Sequence, residues 1–144
     1  CFGKIHILPQ ILDMKSNGLK MFAIFGMLAV ALGAFGAHGL KSKVPESILE
    51  AYKTGVLYHS IHTLVIGIIA IAGQLGYIQK SHRIINVFAL GIILFSGSLY
   101  GIAFANVFQM STSIIVPITP IGGIVLILAW VFTFLNVKKS EQSA

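Results

Sequence analysis

Residues 84–137 read IINVFALGIILFSGSLYGIAFANVFQMSTSIIVPITPIGGIVLILAWVFTFLNV, 54 positions without an Asp, Glu, Lys or Arg. A bilayer core about 30 Å thick is crossed by roughly 20 apolar helical residues. At 1.5 Å per residue this run would make a helix of about 80 Å, far too long for one crossing. It must break once, and Asn106–Ser113, polar and just ahead of Pro117, is where a break is cheapest. The run therefore holds two spans.

Two shorter uncharged runs lie upstream, Met21–Leu40 and Thr54–Gln79, each long enough for one crossing. Together they predict an all-α membrane protein: an antiparallel bundle of four transmembrane helices over about 19–38, 57–78, 84–105 and 114–136. Charged residues are 10% of the 144-residue chain and apolar residues 56%, whereas a soluble domain carries roughly 25% charge. A soluble core helix does not account for uncharged stretches this long. The first run exceeds the apolar stretch of a cleaved signal peptide, roughly 7–15 residues, and is read as a span.

The net charge is +6. In a soluble protein that would suggest nucleic acid; here it reads as topology, because Lys and Arg favour cytoplasmic loops. With four spans, Lys4, Lys15, Lys20, Lys80, Arg83, Lys138 and Lys139 share one side, and Lys41, Lys43 and Lys53 the other. Both termini are expected in the cytoplasm, the protein in the cell inner (plasma) membrane, and no nucleic-acid partner. The domain expectation is a basic, partly disordered extension over 1–18, the membrane domain over 19–137 and a cytoplasmic tail over 138–144. Residues 1–13 precede Met14 and Met21, either of which reads as a start, so they are an extension, a tag remnant or a fragment edge. Cys1 is the single cysteine, which excludes an internal disulfide; its lipid modification would put the N-terminus outside, against the charge pattern.

In the first outer loop, Pro45-Glu46 is a helix start. Ile48, Leu49, Tyr52 and Val56 then share one face and Glu46, Glu50 and Lys53 the other. The spacing predicts a short amphipathic helix that either lies on the outer membrane surface or packs on the bundle, and runs into span two.

Helices in lipid associate by close approach at small residues. Ala29, Gly33 and Ala37 on span one, Gly97, Gly101 and Ala105 on span three, and Gly122 and Gly123 on span four supply such faces. Trp130 and Tyr77 fall near the inner ends of their spans, where aromatic side chains belt the interface. The Pro117–Gly123 stretch, with two prolines and two glycines, predicts an irregular start to span four, buried against the bundle.

Polar residues collect toward the outer half: His38, then Tyr58, His59, Ser60, His62 and Thr63, then Ser96, Ser98 and Tyr100, then Thr119. Tyr58 and His62 share a helix face, as do Ser96 and Tyr100. The candidate cluster is His38, Tyr58, His62, Ser96, Ser98, Tyr100 and Thr119. Such groups in hydrocarbon need partners. They act as interhelical glue, as a site for a ligand or proton, or as a metal site. Two His at i,i+3 without a nearby thiolate or carboxylate are poor metal spacing, so no metal and no cofactor is assigned. No nucleophile–base–orienter set, phosphate loop or acid pair is present, and no catalytic residue is named.

Four patterns carry a resemblance: Gly33-Ala-Phe-Gly-Ala-His-Gly39, Tyr58 with His62, Phe95-Ser-Gly-Ser-Leu-Tyr-Gly101, and Thr119-Pro-Ile-Gly-Gly123 followed by Trp130. From about Leu19 to Val137 the chain resembles the small membrane proteins called YgdD-like in bacteria and transmembrane protein 256 in animals, a domain of unknown function. The resemblance implies four spans in a cell or organelle membrane and carries no activity with it. The functional expectation is a non-enzymatic accessory or assembly component, with the lipid bilayer, a second copy or a larger membrane complex as partners. The alternative is a small carrier or binding protein built on the His/Tyr/Ser cluster.

Overall fold

A computed structural model describes residues 7–138, and side chains from Asn17 onward. The expected tail beyond Lys138, Cys1, and the side chains of most of the N-terminal extension lie outside the described residues. Four helices follow in order: α1 (Ile7–Phe35), α2 (Glu46–Gln74), α3 (Ser81–Val107) and α4 (Ile118–Asn136). A π turn over Gly36–Leu40 extends α1. The segments 17–40, 46–74, 81–107 and 118–136 are each long and apolar enough to cross a membrane.

Neighbouring helices run antiparallel in constant register. A methyl placed on Gly33 would meet Val56, one on Gly26 would meet Thr63, and one on Gly18 would meet Ala70. The glycines of α1 thus bring its backbone close to α2 along the whole span. Across α3 and α4, Gly91 faces Leu126 and Ser98 faces Thr119. The α2–α3 pair forms the centre: in an 18-residue apolar stretch of each, 44% of the residues are buried, against 11% in the corresponding stretch of α1 and 17% in that of α4. Among the described residues α1 and α4 share no extensive interface, so they flank the central pair. The main core joins Ile66, Ile69, Ile84, Phe88, Ile92, Leu126 and Ala129. A second, at the opposite end, joins Leu40, Leu49, Tyr52, Tyr100 and Ala103.

The expected amphipathic loop helix is present as the opening turns of α2, unbroken from Glu46. Leu49 and Tyr52 are buried in the second core, so the apolar face packs on the bundle instead of lying on the membrane surface. Lys53 pairs with Glu50 and Glu46 on the exposed side.

The breaks have local causes. Gly76 takes φ +83°, and Tyr77 N–H bonds Ala72 C=O while Gly76 N–H bonds Gly73 C=O. This double closure at a left-handed residue ends α2 at Gln74, earlier than the hydropathy suggested. The same pair of bonds, Met110 to Ala105 and Gln109 to Asn106, closes α3, with Gln109 at φ 54°. That is the break expected within Asn106–Ser113. At the other end, Gln79 N–H bonds Asn136 C=O and Lys138 N–H bonds Tyr77 C=O, an antiparallel bridge tying the α2–α3 turn to the end of α4.

Candidate functional site

The interior polar groups connect every pair of adjacent helices. Tyr52, whose ring lies against Gly36, donates its hydroxyl to the Leu32 carbonyl at 2.7 Å and joins α2 to α1. His59 Nδ1 meets the Tyr100 hydroxyl at 3.2 Å, joining α2 to α3. Ser98 and Thr119 hydroxyls lie 2.7 Å apart, joining α3 to α4. Trp130 Nε1–H points at His62 Nε2 over 3.4 Å and reaches from α4 to α2.

His62 has a defined tautomer. Its Nδ1 lies 2.8 Å from the Tyr58 carbonyl, which can only accept, so Nδ1 carries the proton. Nε2 is then an acceptor, matched to the Trp130 N–H. Rings enclose this pair: Phe88 stands 5.8 Å from His62 and packs edge-on against Trp130 at 5.4 Å. The indole expected at an interfacial belt thus turns its polar edge inward, while about half of the residue stays exposed.

Among the described residues, the buried Thr63 Oγ1 and Ser96 Oγ have no hydrogen-bond partner, and His59 Nε2 has none within hydrogen-bond distance, though the Phe25 backbone interacts with its ring. His59 and Thr63 are one turn apart on α2 and both face α1, where Phe25 packs edge-on against His59 and Gly26 approaches Thr63. Ser96 is one turn from Tyr100 on the buried face of α3.

Of the seven expected cluster residues, Ser98 meets Thr119 across α3 and α4, whereas His62, Ser96 and Tyr100 are buried separately, His62 against Trp130 and Tyr100 against His59. Tyr58 is at the edge of the interior, 40% exposed, with its ring against Phe95 and His62. His38 stands apart: it sits exposed on the π turn and is not part of the cluster. His59, Tyr52 and Thr63 are buried in the core, and the half-exposed Trp130 turns its indole N–H into it; all four are absent from that expectation. The signal was available for α2, since Tyr52, His59, Thr63 and Ile66 follow one another at intervals of seven, four and three residues. For Trp130 no sequence signal gave its direction.

Among the expected packing residues, Gly33 approaches Val56 and Gly101 approaches Ile115. Gly122 lies so close to the backbone of Phe95 that a methyl would overlap it, and Gly123 faces the Phe95 ring. Ala37 is exposed, because the π turn shifts the tight contact to Gly36, whose missing side chain makes room for Tyr52. Gly97 is also exposed and has open space around it. In the Pro117–Gly123 stretch, Thr119 and Gly122 turn to α3, while Pro117, Pro120 and Ile121 are exposed, so only one face is buried.

Comparison with known proteins agrees with this architecture. The family described as "Protein of unknown function (DUF423)" matches residues 32–123, which hold every candidate residue from Gly33 to Gly123. The UPF0382 membrane protein YwdK of Bacillus subtilis is 41% identical over 126 residues, covering 84% of this chain and 98% of its own length. The UPF0382 membrane protein of Haemophilus influenzae is 39% identical over 130 residues, 90% of this chain and 99% of its own. That of Schizosaccharomyces pombe is 32% identical over 112 residues, 75% of this chain and 90% of its own. No solved structure gives a significant match. The chain, four apolar helices joined by interior polar contacts, belongs to the DUF423 (UPF0382) family of small membrane proteins.

Proposed function

We propose that this integral membrane protein is a non-enzymatic accessory or assembly component, which holds a second copy or a larger membrane complex against the outward faces of α1 and α4. The observation that carries this reading is the uneven burial of the helices over their apolar 18-residue stretches, 11% and 17% for the flanking pair against 44% for the central pair. The polar side chains in the interior are largely consumed in joining helices, which leaves the lateral faces as the surface available to partners. In this reading the protein sits in the plasma membrane with both termini in the cytoplasm, the side that carries seven of the ten Lys and Arg. The test is extraction in native lipid followed by mass measurement. A homo-oligomer or a stoichiometric heteromeric complex is expected; a lone protomer in both native lipid and mild detergent contradicts the proposal.

A second reading has its own support in the buried hydroxyls of Thr63 and Ser96, which have no partner. Buried polar groups without partners cost about 1–3 kcal/mol each, and a small carrier or proton-binding protein would hold such groups for its guest. Here His62→Ala and Tyr100→Phe should change a pH- or ligand-dependent melting shift. Unaltered shifts in both variants remove this reading.

A further inference from the structure

At the end of the bundle opposite the Tyr52 core, α1, α2 and α3 part around a cleft of about 230 Å³. It lies where three spans leave the apolar layer: Asn17 opens the first, Gln74 closes the second and Ser81 opens the third. Hydrogen-bond donors from Asn17, Ser81, His82 and Asn86 line it beside the apolar Met21 and Ile85. Its chemistry thus changes across a single cleft from polar to hydrocarbon.

Two features set the charge it prefers. The cleft meets the N-terminus of α3, a 27-residue helix whose first residues are Ser81 and His82 and whose N-cap, Lys80, makes no side-chain capping bond. Arg83 and Ile84 N–H turn back to the Lys80 carbonyl, whereas the leading amides have no carbonyl within the helix to bond. The positive end of the helix dipole is directed there. Among the described residues, this end also carries Lys20, Lys80, Arg83 and Lys138, while Glu46 and Glu50 lie at the other end. Asp13, one turn before Asn17, is the carboxylate nearest in sequence to the cleft.

The geometry points to a binding site for the phosphodiester headgroup of an anionic phospholipid, with phosphate oxygens on the Ser81, His82 and Asn86 donors and the glycerol and first acyl carbons along Met21 and Ile85. A free phosphate shares the first half of that chemistry but has no use for the apolar wall. The site does not rest on the accessory reading, and a protein with no lateral partner would still have it.

Delipidated protein in a non-ionic maltoside is titrated with phosphatidylglycerol, phosphatidylcholine or inorganic phosphate, read by native mass spectrometry and by melting temperature. Phosphatidylglycerol is expected to be retained roughly tenfold or more tightly than phosphatidylcholine and to raise the melting temperature: both present the phosphodiester to the cleft donors, but the choline ammonium cancels the charge that the positive helix end and the neighbouring Lys and Arg attract. The double substitution His82→Ala with Asn86→Leu, both at exposed positions, should abolish that preference while keeping the lipid-free melting temperature. Lys41→Ala with Lys43→Ala, at the far end, should keep it. Equal retention of the two lipids, or an unaltered preference in the cleft variant, overturns the site. Protection by inorganic phosphate alone, equal to that by phosphatidylglycerol, overturns the lipid assignment. If the cleft variant fails to fold, Asn86→Leu alone serves, and an unaltered preference there also overturns the site.

Discussion

Two glycines on neighbouring spans separate what packing requires from what composition suggests. A methyl at Gly122 would overlap the backbone of Phe95, and backbone cannot swing aside as a side-chain tip can. Gly122→Ala is therefore expected to lower stability by about 1–3 kcal/mol, the usual cost of overpacking. Gly97 belongs to the more conspicuous motif, Gly97 with Gly101, yet nothing approaches it. Gly97→Ala should leave the isolated protomer unchanged or more stable by up to about 1 kcal/mol, the gain in helix propensity. Melting temperatures in mild detergent read both. Tyr100→Phe removes the hydroxyl that meets His59 Nδ1 and should cost about 0.6 kcal/mol, the average for such bonds inside membranes. A loss beyond about 2 kcal/mol would mean that the hydroxyl serves more than this one contact. The sequence showed that polar groups gather toward one end of the spans, but not which of them pair. Tyr58–His62 is a true i,i+4 neighbour, whereas the interhelical partner of Tyr100 is His59, one residue from Tyr58. The two alternatives differ by about 100° around α2, and only the crossing of α3 decides between them.

Among the elements, lengths were legible and ends were not. Uncharged runs place four helices because hydrocarbon tolerates neither charge nor unpaired backbone. Helix ends depend on single residues: Gly76 stops α2 at a left-handed turn, and the residues after it are drawn into the bridge with Val137. At the end of α3 the same closure uses Gln109, a residue with a Cβ, at φ 54°. Gln109→Gly should stabilise the protein by about 1 kcal/mol, since glycine occupies this region without the steric cost. Chemical denaturation in mixed micelles measures it; a destabilised variant would show that the Gln109 side chain contributes more than its backbone strain takes away. The segment 46–56 illustrates the opposite limit. Its apolar spacing fits a surface helix and a bundle-packed helix equally well, and the choice falls to Leu40 and Tyr100, which supply the buried neighbours of Leu49 and Tyr52.

In the whole molecule, the α2–α3 pair is the structural centre, and α1 and α4 lean on it from either side. One polar contact joins each packed pair, and glycines set the distance between backbones. Hydropathy can count crossings, but it is blind to which helices touch, because a lipid-facing Ile and a buried Ile are the same letter. The flanking faces and the cleft at the basic end are thus products of the fold alone. The most direct measurement is labelling of single cysteines in a Cys1→Ser background with a membrane-impermeant maleimide, in sealed vesicles of known orientation. Four crossings with the α2–α3 turn bridged to the end of α4 require that Ser42→Cys and Ser111→Cys label from one side and Gln79→Cys and Lys138→Cys from the other. Labelling of all four from one side, or of Gln79→Cys together with Ser111→Cys, would contradict the account.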